Sequence, residues 1–260
     1  MYIARGVTVK KDVINFCSDV GEGFGVYKYG YDEELIPLLS SASIACGFHA
    51  GDPLIMIKTL EMAKQSNVVA GAHPGLLDLR GFGRRPIKAK SEEIAADVIY
   101  QIGAIKSLAK IVGIEVPFVK VHGALQRMTA EDEKLAKHVA DHIYKYDPEL
   151  KVMAIWNSKL LICAENLGLQ VLREILVDRG YDDDGKILPL THPKGEINDE
   201  DIILSRIDQL IIEQKIFSSV NNKEIPVTFD TLGFHADTTN LEVVKKIRDR
   251  LIQLEVKIRY

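Results

Sequence analysis

Three short segments of this sequence each end a hydrophobic run with a histidine in or beside a glycine-containing loop. The histidines are His49, His73 and His122. Each run is typical of a buried strand, and glycine beside it lets the backbone approach a ligand or another loop closely. Because the carboxyl ends of parallel strands lie together, where α/β folds place their chemistry, we expect the imidazoles to share one site. This pattern predicts an enzyme.

The first predicted strand ends in a glycine loop that carries two carboxylates, Asp19 and Glu22. Carboxylates in this position could bind a metal or act as a base. Asp19, His49 and His73 would lie at neighbouring strand ends, which makes them a candidate open site for a divalent metal. The alternative is that the histidines are hydrogen-bonded structural residues, and sequence spacing does not decide between the two.

Lys120 and His122 alternate with apolar neighbours, so both are expected to face the same way from their strand. A lysine in a barrel mouth is costly to bury unless it is paired with a carboxylate or an anionic substrate. Its pKa could then fall far enough for proton transfer; the alternative is a lysine that reaches solvent. Because these side chains are expected beyond the core, His49→Ala or Lys120→Ala should lower turnover by about 10² or more without unfolding the protein.

Two long segments without helical periodicity, 74–90 and 178–198, follow predicted strands. Loops of that length are usually functional. The first carries arginines among glycines and a phenylalanine, which favours a lid that clamps a carboxylate or phosphate. With the acidic and basic residues near the other strand ends, the candidate substrate-binding residues are Asp52, Arg80, Arg84, Arg85, Asp178, Arg179, His235 and Asp237.

Composition narrows the class of protein. The 260 residues are 47% hydrophobic and 27% charged with a net charge of −4, which is typical of a soluble globular protein. Basic residues do not outnumber acidic ones, so nucleic acid is not expected as a partner. We expect no membrane span and no leader peptide, and a cytoplasmic location. The sequence is also compatible with a homo-oligomer.

Strand-like and helix-like periodicities alternate along the chain, which indicates an α/β fold with a parallel sheet covered by helices. Seven such units fit a closed (βα) barrel. We expect one domain over residues 1–260, with 1–12 as a lead-in. Ser91 is expected to cap a long helix, and Thr129 to cap another together with Asp132. The predicted strands are 13–18, 43–47, 68–72, 117–121, 151–155, 171–176 and 225–229.

Several common catalytic motifs are missing from the sequence. The glycine pattern of dinucleotide-binding proteins fails because Val26 stands where its third glycine belongs. There is neither a Walker A lysine motif nor a Gly-x-Ser-x-Gly elbow. Acyl-enzyme chemistry is therefore disfavoured.

Five ordered blocks resemble the signature segments of the LamB/YcsF lactam-utilisation family. They are Ile44-Ala45-Cys46-Gly47-Phe48-His49-Ala50-Gly51-Asp52, Gly71-Ala72-His73-Pro74, Gly81-Phe82-Gly83-Arg84, Val119-Lys120-Val121-His122-Gly123-Ala124-Leu125, and Val177-Asp178-Arg179-Gly180-Tyr181 through Gly185. The resemblance covers nearly the whole chain, from residue 13 to the last helix.

This resemblance implies a distorted (βα)7 barrel akin to the glycoside hydrolase/deacetylase superfamily. It also implies cleavage of 5-oxoproline to L-glutamate with hydrolysis of ATP to ADP and phosphate, beside B and C partner subunits. The catalytic residues are then Asp19, Glu22, His49, His73, Lys120 and His122. Lys120 would hold the substrate carboxylate or the phosphorylated oxygen together with Arg80, Arg84 and Arg85, and the other five would supply acid–base groups. The alternatives are a stand-alone metal-dependent amide hydrolase or deacetylase, and a diverged subunit without catalytic activity.

The sequence departs from the family pattern at the expected barrel mouth. The opening Asp-Leu-Asn-x-Asp-x-Gly-Glu reads Asn15-Phe16-Cys17-Ser18-Asp19-Val20-Gly21-Glu22, and Val121 replaces the proline of Lys-Pro-His-Gly. Leu-Tyr-Asn reads Leu125-Gln126-Arg127, Val-Pro-Arg reads Leu188-Pro189-Leu190, and His-Gly-Asp reads His235-Ala236-Asp237. These changes bear on substrate and activity and leave the fold prediction unchanged.

Overall fold

Seven short strands, most of them buried along nearly their whole length, form the centre of the molecule. The computed structural model describes residues 10–236 and 239–260. Strands that are apolar on both faces are stable when helices cover a parallel sheet, which is the arrangement observed. The strands of this sheet are β1 (Val13–Val20), β2 (Ser41–Ala45), β3 (Val69–His73), β4 (Phe118–Lys120), β5 (Lys151–Ile155), β6 (Val171–Leu176) and β9 (Thr231–Phe234).

The sheet closes on itself. Each strand pairs in parallel with the next, and β9 pairs with both β6 and β1. The register aligns Phe16 of β1 with Leu232 of β9, and Leu232 with Ile175 of β6. The seven-stranded parallel barrel predicted from the sequence is therefore confirmed.

Helices surround the barrel and bury their apolar faces against it. Their bounds are α1 (Asp32–Leu35), α2 (Pro53–Gln65), α3 (Ser91–Val112), α4 (Gly123–Glu131), α5 (Glu133–Tyr146), α6 (Lys159–Asn166), α7 (Glu200–Asp208) and α8 (Leu241–Gln253). In the parts of the chain that the structure describes, none of these helices has the length and apolar character needed to cross a membrane.

Two predicted helix caps were wrong. Thr129 lies inside α4, where its hydroxyl donates to the backbone oxygens of Leu125 and Gln126, and Asp132 alone caps α5. Ser91 is the first residue of α3 rather than its cap.

The predicted seventh strand was also misplaced. Residues 224–226 form β8, which pairs with β7 (Lys215–Phe217) in a small antiparallel hairpin outside the barrel. The seventh barrel strand is β9, which begins at Thr231. A two-residue strand, β10 (Lys257–Ile258), adds to the start of β1. Alternate residues of the 225–229 run, Ile225, Val227 and Phe229, are buried in the main core. This alternation is also what a barrel strand would show, so strand patterning alone does not separate the two.

The barrel interior is filled in layers by alternate residues of the strands. Cys17, Phe118 and Met153 form a small apolar cluster inside it. Asp19 lies two residues beyond Cys17 in β1, and Lys120 lies two residues beyond Phe118 in β4. A charged layer therefore lies above the apolar one, toward the carboxyl ends of the strands.

Candidate active site

Lys120 is enclosed between two carboxylates at the centre of the barrel. Its Nζ lies 2.7 Å from Glu174 Oε1 and 3.0 Å from Asp19 Oδ1. All three side chains are buried, with Lys120 only 1% exposed. The alternative of a lysine that reaches solvent was therefore wrong.

These ion pairs control the charges of the group. Burial alone would lower the pKa of Lys120, yet the carboxylates of Asp19 and Glu174 hold it well above its ordinary value. Burial alone would raise the pKa of Asp19, yet His73 and Lys120 hold it well below its ordinary value. The predicted fall in the pKa of Lys120 was wrong, because the two carboxylates raise that pKa.

The expectation that the fold tolerates Lys120→Ala needs correction for the same reason. Removing a buried ion-pair partner leaves its carboxylates without a countercharge, which is strongly destabilising. His49 is likewise completely buried. Both side chains lie at or after the end of a strand, as expected, but both are buried.

His73 and His122 meet at their ring nitrogens. His73 Nδ1 lies 2.7 Å from the backbone oxygen of Lys120, and His122 Nε2 lies 2.9 Å from the backbone oxygen of Phe82. Because a carbonyl oxygen only accepts, these outer nitrogens carry hydrogens. The inner nitrogens, His73 Nε2 and His122 Nδ1, face each other at 2.9 Å. Two neutral rings would present lone pairs there, so a proton or a cation must lie between them.

His49 packs face to face on His122, with ring centroids 3.7 Å apart and an interplanar angle of 6°. Burial and the neighbouring His122 and His73 hold the pKa of His49 well below that of an ordinary imidazole. Its Nε2 lies 3.4 Å from Glu22 Oε1. Neither ring nitrogen of His49 has a hydrogen-bond partner within residues 10–236 and 239–260.

The 74–90 segment seals His49 from solvent. A Cβ at Gly75 would lie 2.4 Å from His49 Nδ1, and one at Gly83 would lie 2.6 Å from His49 Cβ. Gly83 also has φ of +63°, a conformation that L side chains rarely adopt. Glycine at these positions lets the loop close onto the imidazole, as the sequence pattern predicted.

Glu22, His49, His73 and His122 together form a group with the chemistry of a metal site. One ligand atom from each lies within 4.8 Å of all the others. Imidazole nitrogens with a carboxylate suit zinc and similar divalent transition metals. The outer N–H groups of His73 and His122 donate to backbone carbonyls, which is how metal-bound histidines are usually oriented. The residues fit a metal ion, and we refer to these four as the histidine cluster.

The histidine cluster differs from the predicted metal ligands. It shares His49 and His73 with the prediction and adds Glu22 and His122. Asp19 Oδ2 lies 3.3 Å from His73 Nε2, while its other oxygen pairs with Lys120. Cys17, which replaces the family asparagine, is a buried thiol whose pKa burial raises to about 11.

A cavity of about 420 Å³ opens beside the histidine cluster at the carboxyl end of the barrel. His122 and His235 line it, as do residues of both long loops. Arg84 and Arg179 also line it, so the two loops lie over one mouth, as predicted. Four positions that depart from the family pattern belong to its wall, namely Gln126, Arg127, Leu188 and Leu190.

The other predicted binding residues lie elsewhere or have structural partners. Arg80 is exposed, and Arg85 forms an ion pair with Asp78, so neither belongs to the cavity wall. Asp52 caps α2, accepting from the backbone N–H groups of Leu54 and Ile55. Asp178 is buried and accepts from His235. Asp237 lies outside the described residues.

Glu174 is the member of the buried charged group that sequence reasoning missed. It lies on β6, completely buried, and its Oε2 is 3.4 Å from Gln126 Nε2 at the cavity wall. The available signal was a carboxylate within a strand predicted to be buried, since such a group requires a cation nearby.

Comparisons with known proteins agree with this geometry. The LamB/YcsF family model matches residues 14–260. The A subunit of 5-oxoprolinase from Clostridium beijerinckii is 44% identical over 241 residues, covering 92% of this chain and 94% of the relative. A Staphylococcus aureus protein of the same name is 42% identical, covering 92% of this chain and 96% of that protein.

Solved structures show the same fold. A lactam utilization protein from Thermus thermophilus superposes with a TM-score of 0.88 at 35% identity, covering 95% of this chain and 99% of that one. A family 4 carbohydrate esterase from Streptomyces lividans reaches a TM-score of 0.50 at 10% identity, covering 96% and 93%, and this likeness shows the fold alone. With the family model spanning nearly the whole sequence, the chain belongs to the LamB/YcsF family.

Proposed function

We propose that this chain is the subunit that opens the lactam ring of 5-oxoproline, giving L-glutamate, in an ATP-dependent 5-oxoprolinase. The observation that carries the proposal is the cavity, which joins the buried histidine cluster to the guanidinium groups of Arg84 and Arg179. 5-Oxoproline combines one carboxylate with one lactam amide. Guanidinium groups suit the carboxylate, and imidazoles suit proton transfer at the amide. The names of relatives at 42–44% identity support the same substrate.

In this proposal His122 contacts and orients the amide, because among the described residues it is the member of the histidine cluster that lines the cavity. Asp19, Glu22, His49, His73 and Lys120 lie behind it and fix its charge and orientation. Ring opening requires an attacking water, a stabilised oxyanion and a proton for the leaving nitrogen. Buried, ordered neighbours favour such chemistry because they need no rearrangement when charge develops.

We assign the use of ATP to the complex that this chain forms with the B and C subunits. An unstrained five-membered lactam resists water, and phosphorylation of its amide oxygen would make the carbon a better electrophile. This sequence carries no Walker A loop. We therefore place the ATP site on a partner, or at a site that a partner completes.

The histidine cluster is proposed to hold a divalent metal ion. The support is the pair of inner nitrogens 2.9 Å apart and the unpartnered nitrogens of His49 within the described residues. A bound ion would supply positive charge that polarises a carbonyl or lowers the pKa of a bound water. This cluster is also what favours the second candidate function, a metal-dependent amide hydrolase that acts without partners.

The test is reconstitution with the B and C subunits from the same source. Glutamate formed from 5-oxoproline is measured with and without ATP, and with each component left out in turn. We expect glutamate only when this chain, its partners and ATP are all present. Glutamate formed by the partners alone would refute the assignment of ring opening to this chain. Amide hydrolysis by this chain alone, with a metal and without ATP, would favour the second candidate.

A further inference from the structure

Asp178 and His235 form a hydrogen-bonded pair at the wall of the cavity. His235 Nδ1 lies 2.9 Å from Asp178 Oδ2, and the backbone N–H of His235 donates to the same oxygen at 2.8 Å. Asp178 is completely buried, whereas the His235 side chain is 15% exposed and lines the cavity. The imidazole therefore contacts the buried carboxylate on one side and the cavity on the other.

The barrel fixes this pair in place. Leu176 of β6 is aligned with Gly233 of β9, and the backbone N–H of Val177 donates to the oxygen of Gly233 at 2.9 Å. Asp178 and His235 thus leave adjacent strands together. Because Nδ1 donates to the carboxylate, Nε2 carries the lone pair of the neutral ring.

His235 also borders the charged centre of the barrel. Ser18 of β1 is aligned with Phe234 of β9, so Asp19, still within β1, and His235, just after β9, lie on neighbouring strands at the same level. The charged groups that act on His235 are Asp178, Asp19 and Lys120, and the cavity wall adds Arg84, Arg179 and Glu196. Burial alone would lower the pKa of His235, yet Asp178 holds it above that of an ordinary imidazole.

We propose that His235 is the proton-transfer residue of the lactam-opening site and that Asp178 is its positioning residue, an inference that rests on the proposed function. Phosphorylation of the amide oxygen by ATP, with loss of the amide proton, leaves a carbon–nitrogen double bond in the ring. Neutral His235 Nε2 takes a proton from the attacking water while the oxygen–carbon bond forms and the carbon–nitrogen π pair moves to nitrogen. The imidazolium then gives this proton to that nitrogen. The remaining carbon–nitrogen bond breaks with its electron pair going to nitrogen, which also takes the proton of the new hydroxyl, and the carbonyl re-forms as an acyl phosphate. A second water splits the acyl phosphate into inorganic phosphate and a carboxylate, and the proton released passes to the amine, which becomes an ammonium group.

Asp178 and His235 have the two separate roles that such a step needs, orientation and proton transfer. A buried carboxylate that accepts from Nδ1–H holds one tautomer and stabilises the imidazolium that forms. General acid–base catalysis by one positioned side chain contributes about 10²–10⁴ in rate. His122, whose Nε2 donates to the backbone oxygen of Phe82, has no ring nitrogen left for a shuttle of this kind once His122 Nδ1 serves the histidine cluster.

The first test compares variants in the reconstituted assembly. His235→Gln is expected to lower kcat by about 10² or more. The control is His192→Gln, a partly exposed histidine of the 178–198 segment that accepts from the backbone N–H of Lys194, and it should leave kcat unchanged. Asp178→Asn should lower kcat and shift the acidic limb of the kcat–pH profile to lower pH, because the group that raises the pKa of His235 is lost. A merely structural role would not move that limb.

The second test needs no turnover. The full chain is labelled with ¹³C at histidine Cε1, His235 is assigned by its absence in His235→Gln, and its pKa is read by NMR. We expect a pKa above that of ordinary histidine, and a lower value in Asp178→Asn. An unshifted His235 in Asp178→Asn, or an unchanged kcat in His235→Gln while the wild-type assembly forms glutamate, would refute this inference alone. A complete assembly that forms no glutamate refutes the proposed function and this inference with it.

Discussion

His73 Nε2 and His122 Nδ1 lie 2.9 Å apart, and the opposite nitrogen of each ring is held by a backbone carbonyl. Either imidazole would lose its hydrogen bond to the backbone carbonyl if it turned away, which costs about 0.5–1.5 kcal/mol. The fold thus holds two basic nitrogens against each other. The proposed metal ion would lie between these nitrogens, and His49 and Glu22 would supply its remaining ligands.

The first prediction concerns metal content. Protein purified without chelator is expected to hold about one equivalent of a divalent transition metal, measured by elemental analysis. His49→Gln removes a donor and should reduce the content below about a tenth of an equivalent. His138→Gln, a change on the outer face of α5, should leave it unchanged. If the wild-type protein contains no metal and chelator does not change its activity, a proton rather than a metal ion lies between His73 and His122.

The second prediction concerns the charged centre of the barrel. Lys120→Met leaves the buried carboxylates of Asp19 and Glu174 facing each other without a cation. The free energy of unfolding, measured by urea denaturation, should fall by about 3–5 kcal/mol. The control is Lys106→Met, which breaks a partly exposed pair with Asp147 and should cost at most about 1 kcal/mol. Equal losses in the two variants would contradict the ion-pair account.

A third prediction separates the arginines of the 74–90 segment. Arg84 lines the cavity and Arg80 does not. If Arg84 binds the substrate carboxylate, Arg84→Gln should raise KM for 5-oxoproline about tenfold or more, since a charge-assisted hydrogen bond is lost. Arg80→Gln should leave KM unchanged. The same KM in all three proteins would show that the carboxylate is bound elsewhere.

The fourth prediction is a pH dependence of stability. The pKa of His235 is raised in the folded state, so its stabilising effect is full below about pH 6.5 and is lost as pH rises through the folded pKa. The pKa of Asp178 is lowered, so its contribution is present above about pH 4 and is lost as pH falls. The difference in unfolding free energy between wild type and His235→Gln should therefore be largest between these values. A difference independent of pH would contradict the pairing.

Much of the fold was predictable because each barrel strand is an apolar run followed by an amphipathic helix. The positions of His49, His73 and His122 at strand ends also followed from sequence, since parallel strands bring their carboxyl ends together. The misplaced seventh strand shows the limit of this approach. An apolar run at 225–229 and the barrel strand at Thr231–Phe234 differ in their partners rather than in their pattern.

The pairing of charged residues could not be predicted for a related reason. Lys120 was expected to need a carboxylate, but Glu174 comes from a strand 54 positions away, and only the closed barrel brings the two to 2.7 Å. Arg85 and Arg84 are neighbours in one loop, yet one pairs with Asp78 and the other lines the cavity. The conformation of the loop determines which arginine has which role. This conformation cannot be predicted from the residue composition of the loop.

The most direct test of the central claim is the rate of glutamate formation by the reconstituted assembly when His122 alone is changed. His122→Gln is compared with wild type and with His142→Gln, a change on the outer helix α5, at equal amounts of folded protein. Loss of the His122 imidazole from the cavity wall should lower glutamate formation by about 10² or more, with the control unchanged. Glutamate formation at the wild-type rate by His122→Gln would contradict the assignment of lactam opening to this site.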